Sequence, residues 1–218
     1  MKRVIMLVFV LVALLSNVVL ASSTVDNLPA GLKFIDPYTI VSDKNFYRDY
    51  SPLNSDGSLN AIVVIPAGTI AKWEVSEKDG TLVWDKSDNK PRLIQYLGYP
   101  ANWSAIPQTK SNGDALAALI LGEPVQRGSV VTAKVIGSFK LITRKGLETD
   151  KIIAVSESSP LYAVNNLEEL NEKYPGVTTI IEAWFTNYSG VGGKTRVAGF
   201  LSANEAMEII NKAISEYK

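Results

Sequence analysis

Four short polar clusters hold most of the residues able to do chemistry: Lys72-Trp73-Glu74, Tyr99-Pro100-Ala101-Asn102-Trp103, Asn112-Gly113-Asp114 and Glu148-Thr149-Asp150-Lys151. The chain has no cysteine and no histidine. That excludes an imidazole base, a Ser-His-Asp triad, a thiolate nucleophile, an iron–sulfur cluster and histidine-ligated zinc or haem. Chemistry is left to carboxylates, lysine, arginine, tyrosine, hydroxyls and hard cations. Each cluster alone also has an ordinary structural explanation. Lys72 and Glu74 share one face of a predicted strand and could be a surface pair. Asn112-Gly113-Asp114 has turn chemistry, and Glu148 to Lys151 could be a charged turn between strands.

The elements that must position these clusters follow from local pattern. Ala61-Ile62-Val63-Val64-Ile65 is a β-branched run closed by Pro66, as a buried strand requires. Ala71–Val75 and Thr81–Trp84 flank Glu77-Lys78-Asp79-Gly80, a hairpin signal. Leu116–Leu121, Ser129–Ile136, Phe139–Thr143 and Lys151–Val155 read as further strands separated by glycines. After Pro160 the pattern turns helical. A short helix begins near Asn166, a second covers Thr178–Tyr188, and Ser202-Ala203-Asn204-Glu205 is a capping box. Behind it Ala206, Ile209, Ile210, Ala213, Ile214 and Tyr217 fall on one helical face. Strands first and helices last predict an α+β domain over 61–218. Residues 22–60, rich in Pro, Asp, Asn and Ser, read as an N-terminal arm of loops.

Residues 1–21 have the parts of an export signal. Lys2 and Arg3 precede an apolar run from Val4 to Leu15, and Val19 and Ala21 place small residues before Ser22. Ser16 and Asn17 interrupt the run, and no basic cluster follows to stop transfer, which argues against a membrane anchor. The chain is expected to be exported, periplasmic or secreted, with no membrane attachment after cleavage. Basic and acidic residues balance at 22 each, so no nucleic-acid partner is indicated.

The order of the clusters carries more than any one of them. A strand ending Ile65-Pro66, then Lys72-x-Glu74, a hairpin, Tyr99-Pro100-x-Asn102, Ile106-Pro107, Gly113-Asp114 and Asp150-Lys151-Ile152-Ile153-Ala154-Val155 resembles the family I soluble inorganic pyrophosphatases. The resemblance runs from about Val63 to Lys218 and takes in Trp184-Phe185-x-x-Tyr188. It implies a five-stranded OB-like distorted β-barrel with flanking C-terminal helices, and Mg²⁺-dependent attack of water on pyrophosphate. It further implies Asp114 and Tyr99 as catalytic residues, and Lys72, Glu74, Lys86, Lys151 and Tyr188 as substrate contacts. Asp114, Asp150 and Asn112 match its metal positions, and homo-oligomers are common in the family.

Several positions depart from the family pattern. Its central Asp-Gly-Asp-Pro-x-Asp is here Asn112-Gly113-Asp114-Ala115-Leu116-Ala117. Thr143 stands where a metal-binding aspartate is expected, and the next such position falls on Glu148, Thr149 or Asp150. Lys86 replaces an arginine, Trp103 a tyrosine, Ser189 a lysine, and Val64 a frequent glutamate. Alanine offers no ligand and threonine a weak one, whereas Mg²⁺ wants carboxylate anchors. The first reading is therefore a catalytically impaired relative that binds pyrophosphate or another phosphate-bearing small molecule, with weak or absent Mg²⁺ binding. The alternative is an active Mg²⁺-dependent inorganic diphosphatase in which Asp85, Asp88 or Glu123 substitutes as a ligand.

Overall fold

Short apolar runs punctuated by turns build the first three quarters of the chain. The computed structural model describes residues 28–143, 145–190 and 195–217. Its strands are β1 (Leu32–Asp36), β2 (Thr39–Ser42), β3 (Leu59–Ile65), β4 (Trp73–Val75), β5 (Leu82–Trp84), β6 (Lys86–Ser87), β7 (Lys90–Pro91), β8 (Asn102–Ala105), β9 (Ala117–Leu121), β10 (Val130–Ile142) and β11 (Glu148–Ser156). A 3₁₀ turn (Pro160–Ala163), helices α1 (Leu167–Lys173) and α2 (Val177–Asn187), strand β12 (Arg196–Leu201) and helix α3 (Ala203–Tyr217) follow. The predicted α+β class holds. The predicted export signal at 1–21 lies outside the described residues.

The large sheet runs β11-β9-β8-β3-β10-β12, and β10 also pairs with β11. The ladders thus pass from β3 through β8, β9 and β11 to β10 and back to β3. β10 can serve three partners because it is 13 residues long and bent by a bulge between Val135 and Gly137. A Cβ at Gly137 would lie 2.6 Å from Leu167 Cδ1 and 2.7 Å from the Leu201 carbonyl oxygen, so only glycine fits. The expected pair of strands, Ser129–Ile136 and Phe139–Thr143, is corrected to this single one: a bulge bends a strand without ending it.

Both faces of the central strands are covered, which explains why they read as continuous apolar runs. Side chains alternate between two cores. Ile62, Leu119 and Ile153 join one cluster, together with Phe139 and Phe185. Ala61, Ala118 and Ile152 join the other, beneath Ala206, Ile210 and Ala213 of α3. Ile210 is fully buried, which is worth about 2 kcal/mol. The start of α3 is fixed by the expected capping box: Ser202 N–H donates to Glu205 Oε2 at 2.8 Å, and Glu205 N–H to Ser202 Oγ at 3.4 Å.

Strands also form in two stretches outside the expected ones. β1 and β2, within the expected arm, form a hairpin that continues a second sheet in the order β1-β2-β5-β4. The β4–β5 connection is the expected Asp-Gly turn, with Gly80 at φ +70°. β8 lies within the aromatic cluster between two prolines, and paired neighbours on both sides override its weak strand composition. Its first residue, Asn102, is fully buried. Its Oδ1 accepts from Ala67 N–H at 3.1 Å and Val125 N–H at 2.9 Å, and its Nδ2 donates to the Glu123 carbonyl at 2.8 Å. Asn102 ties two loops, the one after β3 and the one after β9, to the sheet beside the site.

Candidate active site

A cavity of about 610 Å³ opens among β4, β8, β9, β11 and the end of α2. Lys72, Glu74, Tyr99, Asp114, Lys151 and Tyr188 all line it, although they are spread over more than half of the chain. Local structure explains each placement. Lys72 and Glu74 flank Trp73, which is buried and stacks on Trp84 with centroids 5.4 Å apart. Tyr188 follows the last turn of α2 and lies parallel to Trp184, 4.9 Å away. Tyr99 packs on the same Trp184 at 4.5 Å, and burial pushes its hydroxyl pKa far above the ordinary tyrosine value.

Three residues expected at the site are not brought into this cavity. Lys86 sits on the short β6–β7 hairpin with its Nζ 4.4 Å from the centre of the Tyr38 ring. Asn112 occupies an exposed tight turn at φ +55°, and its Nδ2 donates to the Glu148 carbonyl at 3.2 Å. Asp150 faces away: strand alternation on β11 turns Thr149 and Lys151 to the cavity, while Glu148 and Asp150 meet Lys140 at 3.5 and 3.2 Å. The late position with open alternatives is therefore filled, on the cavity side, by Thr149.

Two charged residues outside the cavity lining bear on Lys72. Asp85 and Arg92 stand beside Lys72, locked to it by backbone bonds: Asp85 N–H donates to the Lys72 carbonyl and Arg92 N–H to the Asp85 carbonyl, both at 2.8 Å. Lys72 Nζ lies 2.8 Å from Asp85 Oδ2 and 3.8 Å from Glu74 Oε2. Hydrogen bonds and charge from Lys72 and Arg92 outweigh burial and hold the Asp85 carboxyl below its usual range. Burial, with help from Asp85 and Asp114, pushes Glu74 up. The sequence offers Asp85 only as a substitute metal ligand, and nothing in the spacing points to Arg92.

Lys151 is the second strongly perturbed group of the cavity, beside Tyr99. Burial pulls its ammonium pKa down to about 8, Asp114 and Asp150 pull it up, and Lys72 pushes it further down. Its Nζ stands 5.6 Å from the centre of the Trp103 ring. Trp103 itself touches Tyr99 and Phe185, at 5.7 and 5.5 Å between centroids.

A family model described as inorganic pyrophosphatase matches residues 61–218, the whole span that carries the cavity. The chain belongs to the inorganic pyrophosphatase family. It is 30% identical over 180 residues to the inorganic pyrophosphatase of Caulobacter vibrioides, covering 76% of this chain and 93% of that one. It is 28% identical over 207 residues to the mitochondrial inorganic pyrophosphatase of Saccharomyces cerevisiae, covering 80% of this chain and 66% of that one. The fold matches a type I inorganic pyrophosphatase from P falciparum with TM-score 0.78 at 23% identity, over 85% of this chain and 71% of that one. It matches the Thermus thermophilus pyrophosphatase with TM-score 0.68 at 24% identity, over 80% and 99% of the two chains.

The donor set in this member of the family does not fit a multi-cation magnesium centre. Asp114 shares the cavity wall with Ala117, Thr143 and Thr149, none of which carries charge. Glu74 and Glu77 add carboxylates on the β4 hairpin, yet among the described residues no group of three acidic side chains converges closely enough to hold an ion.

Proposed function

We propose that this pyrophosphatase-family protein binds a phosphate-bearing anion in the cavity and hydrolyses pyrophosphate poorly or not at all. One observation carries the reading: Ala117, Thr143 and Thr149, none of them a carboxylate, line the cavity with Asp114. Lys72, Lys151 and Tyr188 still supply donors for phosphate oxygens. An anion can thus be gripped without the charge neutralisation that in-line water attack requires. The closed strand circuit of β3, β8, β9, β11 and β10 supports the five-stranded OB-like barrel as its scaffold. Export through residues 1–21 and self-association into a homo-oligomer belong to the same reading.

The experiment measures phosphate release from pyrophosphate with Mg²⁺ or Mn²⁺, beside calorimetric titration with pyrophosphate and inorganic phosphate. The expected result is anion binding with negligible turnover. Robust metal-dependent turnover that Asp114→Asn abolishes would sink the impaired reading in favour of an active diphosphatase.

A further inference from the structure

The cavity is larger and less polar than an inorganic anion needs. Its volume of about 610 Å³ lies within the roughly 300–1,000 Å³ of sites for organic ligands. Its lysines, Lys72, Lys78 and Lys151, are balanced by the carboxylates of Glu74, Glu77 and Asp114. A polyanion such as pyrophosphate would bring more negative charge than this wall can compensate unaided. A phosphomonoester brings about two negative charges, which the neighbouring Lys72 and Lys151 can meet.

Part of the remaining wall, beside Lys151, is apolar. Trp103, only partly buried, lies 5.6 Å from Lys151 Nζ and is backed by Phe185, while Ala117 and Leu141 line the same space. A group esterified to a phosphate held by Lys151 therefore falls against an indole face and small or branched aliphatic side chains. Resting on the anion-binding reading above, we infer that the ligand is an aromatic phosphomonoester, with phosphate on Lys72 and Lys151 and its ring against Trp103. Trp103 is then the residue that selects an organic ester over a bare anion.

The test titrates the purified protein with phenyl phosphate, inorganic phosphate and pyrophosphate, without metal, by calorimetry and tryptophan fluorescence. Burying one aromatic ring predicts that phenyl phosphate binds at least ~10-fold more tightly than inorganic phosphate. Trp103→Leu should erase that preference and leave inorganic phosphate affinity within about twofold. Ala117→Leu, which narrows the apolar side without touching the lysines, should also weaken phenyl phosphate selectively. Equal affinity for the ester and inorganic phosphate, or tightest binding of pyrophosphate, overturns the inference while the anion-site reading stands. Absence of binding by all three anions overturns both.

Discussion

Lys72 and Arg92 hold the same carboxylate oxygen: Nζ and Nη1 lie 2.8 and 3.1 Å from Asp85 Oδ2. Two cations on adjacent backbone segments are thereby kept together by one internal anion. An incoming phosphate competes with Asp85 for Lys72, because the ammonium cannot serve both fully. The pair is partly exposed, so its worth to folding is small, about 0–1 kcal/mol per contact. Asp85→Asn should therefore leave the thermal midpoint nearly unchanged and raise phosphate affinity by roughly 3- to 10-fold. Calorimetry on the variant checks it, and weaker binding would mean that Asp85 orients Lys72 rather than competing for it.

The neighbourhood of Asn102 makes a prediction about stability. Its side chain satisfies Ala67 N–H, Val125 N–H and the Glu123 carbonyl in a region closed to solvent. Asn102→Leu leaves those groups without partners, at about 1–3 kcal/mol for each one that water cannot reach. A loss of roughly 3 kcal/mol or more is expected in urea denaturation. A shift below about 1 kcal/mol would show that the loops relax to satisfy themselves.

The pH dependence of binding follows from Lys151. Burial holds its pKa near about 8, below the usual lysine value, with Lys72 acting in the same direction and Asp114 and Asp150 against it. The side chain is a cation below that pH and neutral above it. A phosphomonoester is already a dianion at pH 7, so its own charge does not change across this window. Affinity should fall about tenfold as pH rises through 8, the worth of one charge-assisted hydrogen bond. Lys151→Met should bind weakly and with a flat profile from pH 7 to 9. A parent profile equally flat would place the phosphate away from Lys151.

Much of this was legible because the signals were local. The capping box at Ser202 and Glu205, the Asp79-Gly80 hairpin and the apolar run Ala61–Ile65 each declare their structure within a few residues. The ordered polar clusters announced the family and six of the cavity residues. What stayed hidden depended on contacts distant in sequence. β8 exists because β3 and β9 pair with it, which no propensity of Asn102 or Trp103 reveals. The choice among Glu148, Thr149 and Asp150 turned on a one-residue register, and that register is set by Lys140↔Asp150 pairing on the neighbouring strand. Arg92 reaches the site only because β6 and β7 fold its backbone against Asp85.

Export makes a prediction of its own. On the export reading proposed above, Lys2, Arg3, the apolar run Val4–Leu15 and the small residues before Ser22 would be removed as a processing segment. Material recovered from outside the cytoplasm should begin at Ser22 by intact-mass spectrometry. A mass that includes Met1 would contradict it.

The strongest test of the cavity's depleted donor set is to rebuild it. Ala117, Thr143 and Thr149 all line the cavity with Asp114, so Ala117→Asp, Thr143→Asp and Thr149→Asp together would gather four carboxylates on one wall. Asn112 and Asp150 are left alone, since one is tied to the Glu148 carbonyl and the other to Lys140. Like charges crowded together disfavour ionisation and destabilise the folded state. In chelator the triple variant should melt several degrees below the parent. Mg²⁺ binds the folded form and should restore stability with the logarithm of its concentration over Kd, about 2.7 kcal/mol at a hundredfold excess. The parent should show no comparable rise. With cations in place the variant should also release phosphate from pyrophosphate above the parent's rate, though slowly, because Lys86 remains on Tyr38 and Ser189 faces Thr195. Thermal melts with and without Mg²⁺ separate the two effects. A variant that folds but gains no metal-dependent stability would show that these three positions do not converge on a cation, and the impaired-site reading proposed above would lose its basis.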